Sequence, residues 1–375
     1  MKITDVEFIP VRYPLKAPFY PAWFPGATLT TWGATVVKVH TDEGIVGYGS
    51  QASLGTEVKT VGESQIVRSL LIGADVFNVE KAVRILSGIT YSMDTLRLWG
   101  IEVALWDIIG KTCGKPIYKL LGGYQDRVLA YASTGMIKKP KEHADDAVKY
   151  LDMGFKAIKI RLHREDPKED LAAVKAVRDT VGSNMDIMVD ANQACTFSGP
   201  IWSYERALKM AKKLEKLNVY WLEEPLHHEA HRDLARLAAE VDILIAGGED
   251  ESGLHRFKDL LDHDCFDVIQ PDVHLSGGIL QCRKIAAIAE SMNKLFVPHT
   301  WDTGINLAAG LQLIGSVPNC SFVEYCIDLP AFHQGYDPLL KNPIELSKDG
   351  YVNIPNRPGL GVEIDQDAVS RYRIS

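Results

Sequence analysis

From residue 128 onward, short apolar segments recur eight times, and longer stretches with helical periodicity separate them. Short apolar runs bounded by turn residues are typical of strands that are buried on both faces. Strands that alternate with helices pair in parallel, because each crossover needs a connection of helix length. The pattern therefore predicts an α/β fold, a (β/α)8 barrel. The predicted strands are residues 128–132, 157–162, 186–190, 219–223, 243–246, 266–271, 295–298 and 322–325.

The first 125 residues follow a different pattern, with strands before helices. Residues 35–48 alternate in polarity around Asp42-Glu43-Gly44, which predicts a β-hairpin. Helical periodicity then predicts three helices, at 58–71, 79–86 and 98–112. We expect an α+β capping domain over residues 1–125 and a barrel over 126–341. Turn signals in residues 342–375 predict a tail that leaves the barrel and packs on the N-terminal domain.

Composition excludes several classes of function. The 375 residues are 46% hydrophobic and carry a formal net charge of −8, which is typical of a soluble globular chain. Because there is no excess of positive charge to release counterions, nucleic acid is not an expected partner. The start of the chain is not a signal peptide, and no apolar stretch reaches ~18 residues, so we expect a cytoplasmic protein without a membrane partner. The six cysteines have no metal-binding spacing, and we expect reduced thiols.

Polar residues stand at or just beyond the end of most of the predicted barrel strands. The carboxyl ends of the strands in such a barrel converge on one mouth, so these side chains are expected to share a pocket. They are Lys159, Arg161, Asp190, Asn192, Glu223, Glu249, Asp272, His299 and Glu324.

Asp190, Glu223 and Glu249 follow three successive strands. Three carboxylates side by side repel one another unless they are protonated or neutralised by a cation with oxygen ligands. Mg2+ is the first choice, because Zn2+ favours the His or Cys ligands that are missing at these positions. The alternative is that each acid separately caps the helix after its strand.

Asp272 and His299 end adjacent strands. A carboxylate hydrogen-bonded to one ring nitrogen fixes the histidine tautomer and leaves the other nitrogen free to accept a proton. This pair is a candidate general base. The alternative is a structural histidine, and position at a strand end favours the catalytic interpretation. The histidines without such a context are His227, His228, His255 and His263.

Seven motifs near the strand ends keep a characteristic order and spacing. They are Lys159-Ile160-Arg161, Asp190-Ala191-Asn192, Glu223-Glu224-Pro225, Gly247-Gly248-Glu249, Gln270-Pro271-Asp272, Val297-Pro298-His299 and Val323-Glu324. Ala104-Leu105-Trp106-Asp107-Ile108 and Leu120-Leu121-Gly122-Gly123 precede them, and Pro358-Gly359-Leu360-Gly361-Val362 follows them. Together these residues resemble the mandelate racemase subgroup of the enolase superfamily, over nearly the whole chain.

The resemblance implies a modified (β/α)7β TIM barrel under a capping domain. It also implies abstraction of the proton α to a carboxylate, with the resulting enediolate held on one Mg2+ per active site. By position, Asp190, Glu223 and Glu249 are the expected ligands and His299, oriented by Asp272, the expected base. The roles expected for the remaining matched residues are binding of the substrate carboxylate by Lys159 and donation from a protonated Glu324.

One residue departs from the pattern of many relatives. Arg161 stands where these relatives carry a second lysine that acts as a base on the opposite face of the substrate. Guanidinium stays protonated at ordinary pH, so Arg161 can bind or polarise a substrate but is a poor proton acceptor. A two-base racemisation therefore becomes doubtful, and a single base fits β-elimination better.

Aromatic residues near the N-terminus predict a segment that closes over the pocket. The equivalent of residues 19–26 closes the site in the family, and its Tyr20 and Trp23, with Trp301, are expected to line the substrate pocket. Asn192 is a further candidate for substrate binding. The alternative is that the aromatics only dock the N-terminus on the barrel. Weaker candidates for contacts to hydroxyl groups are Ser50, Gln51 and Ser53.

The sequence thus predicts a Mg2+-dependent dehydratase that converts an aldonate or aldarate into a 2-keto-3-deoxy sugar acid. The expected partner is a small-molecule carboxylate, and the resemblance implies a homo-oligomer. A racemase, epimerase or lactone cycloisomerase shares the enolisation and remains the alternative enzyme class. A non-catalytic ligand-binding relative is the third class, and the intact set of polar strand ends argues against it.

Overall fold

The computed structural model describes residues 1–52, 61–92, 97–195 and 199–374. The N-terminal part is a three-stranded antiparallel sheet of β1 (Ile3–Phe19), β2 (Leu29–Thr41) and β3 (Val46–Ala52). Strands β2 and β3 pair from His40 opposite Val46, which confirms the predicted hairpin. The long strand β1 is an addition to the predicted elements.

Helices follow this sheet, as expected for an α+β unit. They are α1 (Gln65–Leu71), α2 (Val79–Ser92), α3 (Trp99–Cys113) and the short α4 (Ile117–Leu120). Of the first predicted helix, residues 58–60 lie outside the described part. Helix α3 packs closely on β3 because that strand carries glycines: a Cβ at Gly47 or Gly49 would lie 2.1 Å from a carbonyl oxygen of α3.

Eight parallel strands form the barrel, and the count and order agree with the prediction. They are β4 (Arg127–Ser133), β5 (Ala157–Arg161), β6 (Asp186–Asp190), β7 (Val219–Glu223), β8 (Leu244–Gly247), β9 (Val268–Ile269), β10 (Leu295–Phe296) and β11 (Phe322–Asp328). Strands β4 to β10 pair in chain order, and β11 pairs with β4.

Within the described residues, seven helices connect these strands, which gives the expected (β/α)7β arrangement. They are α5 (Pro140–Met153), α6 (Pro167–Val181), α7 (Tyr204–Glu215), α8 (His231–Glu240), α9 (Leu254–Asp262), α10 (Gly278–Ser291) and α11 (Gly304–Ile314). None of the described helices is long and apolar enough to cross a membrane.

The interior of the barrel is filled by apolar side chains, one or more from each strand region. Tyr131, Trp221 and Phe322 stack edge to face there, at ring-centroid distances of 5.3 to 6.3 Å. This core occupies the lower part of the barrel. It leaves the carboxyl ends of the strands, with their polar side chains, as the mouth.

The C-terminal segment contacts both parts of the chain. Strand β11 is followed by β12 (Phe332–His333) and a 3-10 turn (Gln334–Tyr336), and then by β13 (Tyr351–Asn353) and α12 (Gln366–Tyr372). Strand β13 pairs with β4 of the barrel, whereas Leu360 N donates to Asp107 Oδ1 of α3 at 2.9 Å. The division at residues 125 and 341 stays a prediction.

Candidate active site

Asp190, Glu223 and Glu249 meet at the mouth of the barrel. Asp190 and Glu223 are the last residues of β6 and β7, and Glu249 lies two residues beyond β8. One carboxylate oxygen from each lies within 4.8 Å of the others. Oε2 of Glu249 is buried and has no hydrogen-bond partner among the described residues. The structure therefore brings together the three acids that the sequence predicted to be neighbours.

The electrostatics of this cluster favour a bound cation. Burial, together with the neighbouring Asp190 carboxylate, raises the pKa of Glu223. Burial also raises the pKa of Glu249 to about 8, against the opposing effect of His299. Buried acids whose charged forms are disfavoured need positive charge close by, and oxygen donors alone suit Mg2+ better than Zn2+. The buried, unpartnered oxygen of Glu249 is an available ligand, so these residues fit a Mg2+ ion.

Lys159 supplies positive charge from within the chain. Its side chain is fully buried, and Nζ lies 2.5 Å from Glu223 Oε1, 2.9 Å from Glu324 Oε1 and 3.7 Å from Asp190 Oδ2. Burial alone would lower the pKa of Lys159, but the Glu223 and Glu324 carboxylates outweigh burial and raise it. Lys159 is therefore a charged donor in the centre of the pocket.

Arg161 lies beside Asp190 and next to two indoles that contact each other. NH1 pairs with Asp190, and Nε donates to the carbonyl oxygen of Thr134 at 2.8 Å. The guanidinium carbon lies 5.2 Å from the ring centre of Trp23 and 5.8 Å from that of Trp301. Burial acts to lower the pKa of Arg161, but Asp190 and other carboxylates raise it further, so Arg161 cannot accept a proton.

His299 and Asp272 form the expected hydrogen-bonded pair. Nδ1 of His299 lies 2.8 Å from Asp272 Oδ2, and Nε2 faces the carboxylates, 3.7 Å from Glu249 Oε1 and 4.0 Å from Glu324 Oε2. Asp272 is held in turn by the backbone N–H of His274 at 2.6 Å and the amide of Asn306 at 3.2 Å. Burial lowers the pKa of His299, but Glu249, Glu324 and Asp272 outweigh it and raise the pKa to about 10.

Glu324 lies among hydrogen-bond donors and cationic side chains. Burial acts to raise its pKa, but Lys159, His299 and the Thr300 N–H outweigh burial and hold the pKa at about 2. The carboxylate accepts hydrogen bonds from Ser133 Oγ at 2.7 Å and Thr300 N at 2.8 Å. These surroundings favour the ionised form of Glu324, and its expected role as a protonated donor to the substrate stays a prediction.

The predicted substrate-binding residues occupy different positions. Trp301 is buried, donates Nε1–H to Ser133 Oγ at 2.9 Å, and lies 5.0 Å from Trp23 between ring centres. Asn192 has a left-handed backbone, with φ 46°, and its backbone N–H donates to Asp190 Oδ1 at 2.8 Å. Tyr20 is 54% exposed, and the described contacts do not join it to the charged residues.

A second histidine–carboxylate pair, which was not predicted from the sequence, lies beside Asp272. Nδ1 of the buried His274 lies 3.2 Å from Asp302 Oδ2, and Nε2 lies 3.4 Å from Ser50 Oγ. Gln51 donates to the carbonyl oxygen of His274 at 3.1 Å. Ser50 and Gln51 thus bond to the barrel, whereas Ser53 lies outside the described residues. The position of His274, two residues after Asp272, was the available signal.

A barrel mouth that combines a carboxylate cluster, buried cationic donors and a His–Asp pair defines an enzyme class built for proton abstraction next to an anionic group. Residues 4–122 match the mandelate racemase / muconate lactonizing enzyme N-terminal domain, and residues 142–368 match the enolase C-terminal domain-like family. The chain belongs to the enolase superfamily, in its mandelate racemase subgroup, and is an enzyme.

Characterised relatives carry out more than one reaction. The chain is 33% identical to an arabinonate dehydratase of Saccharolobus solfataricus, over 90% of this chain and 89% of that protein. It is 32% identical to a D-galactarolactone cycloisomerase of Agrobacterium fabrum, over 100% and 99% of the two chains. The crystal structure of D-glucarate dehydratase from Agrobacterium tumefaciens complexed with magnesium is 27% identical, with a TM-score of 0.85 and full coverage of both chains.

Proposed function

We propose that the protein is a Mg2+-dependent dehydratase of an aldonate or aldarate, with a 2-keto-3-deoxy sugar acid as product. The observation that carries the proposal is that His299 supplies a base at the carboxylate cluster, whereas Arg161, which cannot accept a proton, holds the place of the second base. His299 Nε2 faces the carboxylate cluster, and Arg161 occupies the position where a second base would stand. One base supports removal of a proton and loss of a leaving group on one face of the substrate, but not racemisation between two faces.

Asp190, Glu223 and Glu249 are the proposed ligands of the cation. When bound, Mg2+ supplies positive charge that stabilises the negative charge developing on the substrate carboxylate. The free Oε2 of Glu249 and the raised pKa of Glu223 and Glu249 support this assignment. The Asn192 backbone N–H donates to Asp190 Oδ1 and so fixes the orientation of this carboxylate.

Lys159 and Arg161 are proposed to bind the substrate carboxylate. Both are buried cations that lie among carboxylates, so a substrate anion can take over some of those contacts once the carboxylates have another positive partner. Trp23 and Trp301 pack against each other next to the guanidinium of Arg161 and form an apolar wall beside it. This wall is suited to a sugar chain and helps to exclude water.

His299 is proposed to perform both proton transfers. The Glu249 carboxylate helps to raise the pKa of His299, and a cation bound to Glu249 would lower that pKa and favour neutral Nε2. Neutral Nε2 accepts the C2 proton, while Asp272 holds Nδ1–H and stabilises the imidazolium that forms. The imidazolium then returns a proton to the departing 3-hydroxyl, which leaves as water. The resulting enol tautomerises to the 2-keto acid, so the net change is loss of one water molecule.

A lactone cycloisomerase is the second candidate, because the D-galactarolactone cycloisomerase relative matches the full chain as well as the dehydratase relatives do. It shares proton abstraction by His299 but opens a ring and releases no water. The two candidates therefore differ in their products, not in their first step.

The test is to incubate the protein and Mg2+ with a panel of aldonates, aldarates and their lactones, and to follow 2-keto acid release and solvent deuterium incorporation together. The expected result is release of a 2-keto acid from one acid that depends on Mg2+ and is abolished in His299→Asn. Deuterium at C2 without any keto acid would contradict the dehydratase proposal. Consumption of a lactone alone would favour the cycloisomerase.

A further inference from the structure

A second group of possible metal ligands lies on the outer helices of the barrel, away from the carboxylate cluster. His231 begins helix α8, Asp259 lies in helix α9, and His263 immediately follows α9. One ligand atom from each of the three lies within 4.8 Å of the others. None of these residues belongs to the proposed catalytic machinery.

The geometry places the two imidazoles around one carboxylate. Nδ1 of His231 lies 3.2 Å from Asp259 Oδ2, and Nδ1 of His263 lies 3.4 Å from Asp259 Oδ1. Ligands at about 2.0–2.2 Å in a tetrahedral zinc site stand roughly 3.3 Å apart. The spacing of these donors is therefore already close to that of ligands on one ion.

The surroundings leave these donors available. In the described part of the chain, Asp259 forms no ion pair with a lysine or arginine, and the side chains within ion-pair distance of it are His231 and His263. Nδ1 of His231 is the ring nitrogen that faces Asp259, and it is the donor that an ion would bind. Asp259 and His263 are one helical turn apart on α9, the separation that places two ligands on the same face of a helix.

One adjustment is required before His263 can bind a metal. Its Nδ1 also lies 2.8 Å from the carbonyl oxygen of Asp259, so in the metal-free protein this nitrogen donates to the backbone. The His263 side chain is 56% exposed and Asp259 is 47% exposed, so both can turn, whereas His231 is 16% exposed and fixed. His231 is thus the anchored ligand, and the other two close on the ion.

We propose that His231, Asp259 and His263 form a peripheral site for a borderline divalent transition metal such as Zn2+, with the remaining coordination positions open to water. Imidazole nitrogen selects Zn2+ or Co2+ over Mg2+, whereas the all-carboxylate cluster in the mouth suits Mg2+. The two sites are therefore separated by ligand chemistry as well as by position. A bound ion would link α8 to α9 on either side of strand β8.

The test uses Co2+ as a spectroscopic probe and Zn2+ as the ligand, in excess Mg2+ to occupy the carboxylate cluster. The exposed thiols of Cys113 and Cys195 are alkylated first, so that they cannot act as ligands. We expect one equivalent of Co2+ with visible d–d absorption that Zn2+ displaces. At Zn2+ concentrations about 100-fold above Kd, the melting temperature should rise by about 3 °C.

Single substitutions identify which side chains bind the metal. His231→Gln and His263→Gln should each weaken Zn2+ binding at least about tenfold and abolish the thermal shift. His255→Gln, an exposed histidine of the same helix, is the matched control and should bind Zn2+ as the wild type does. Unchanged Zn2+ affinity in both ligand variants, or no Zn2+ binding by wild-type protein in excess Mg2+, would overturn the proposal. Glu223→Gln should retain this site, so the result is independent of the proposed catalytic function.

Discussion

Replacing Lys159 by methionine tests how much the buried positive charge in the pocket contributes to the stability of the fold. The ammonium group is fully buried and lies 2.5 Å from Glu223 and 2.9 Å from Glu324. Removing one partner of a buried ion pair costs about 3–5 kcal/mol, because the remaining charge is left uncompensated. We therefore expect Lys159→Met to lower the free energy of unfolding by about 4 kcal/mol when no divalent cation is present, even though methionine fills most of the volume.

The assay is urea unfolding at neutral pH, with and without Mg2+. The matched control is Lys141→Met, because Lys141 is 84% exposed and pairs with Asp145 at 2.6 Å on the surface of α5. Its effect should stay within about 0.5 kcal/mol. Mg2+ should recover part of the loss in Lys159→Met, and so should the added change Glu223→Gln, because each removes uncompensated negative charge. A loss below about 1 kcal/mol in Lys159→Met would refute the reasoning.

Three further outcomes are expected. His299→Asn and Asp272→Asn should lower kcat about 10²-fold or more in the keto-acid assay with little change in melting temperature, and an active His299→Asn would remove this base from the mechanism. Burial lowers the pKa of His143 to about 3. Below about pH 6.5 the histidine is therefore protonated in the unfolded state but stays neutral in the folded state, so stability falls as the pH falls. Between pH 7 and 5 the free energy of unfolding, measured by urea titration, should fall by about 2 kcal/mol more in wild-type protein than in His143→Gln. An equal dependence on pH in the two proteins would contradict this. Gly49→Ala should lower the free energy of unfolding by about 2 kcal/mol, because the added Cβ pushes β3 away from α3. Gly88 has open space around it, so Gly88→Ala should leave the stability unchanged or raise it, and thermal unfolding of both variants measures the difference.

The barrel and its mouth could be predicted because the period of the apolar segments fixes the strands, and parallel strands then fix which ends meet. Glu249 lies two residues past β8, yet its place near Asp190 follows from strand order alone. Strand β1 was harder to predict, because Pro10 and Pro14 interrupt its pattern, although both still pair with β2 opposite Thr35 and Thr31. Local sequence patterns therefore predict turns more readily than a long strand that contains prolines.

Protonation states could not be predicted, because they depend on distances between residues far apart in sequence. The lowered pKa of Glu324 depends on Lys159, 165 positions away, reaching within 2.9 Å. The grouping of His231 with His263 depends in the same way on the end of α9 lying beside the start of α8. In both cases the residue types were visible in the sequence, but the partner that decides their chemistry was not.

The contacts of Lys159 and Arg161 also determine the order in which the cation and the substrate can bind. Both cations are held by carboxylates, Lys159 by Glu223 and Arg161 by Asp190. They become free to bind an anionic substrate only when those carboxylates have another positive partner. Binding of the sugar acid should therefore require Mg2+, and equilibrium dialysis with an inactive His299→Asn variant measures this directly. If the acid binds equally well in EDTA, Lys159 and Arg161 do not depend on the cation for their release, and the proposed coupling between the two binding events is wrong.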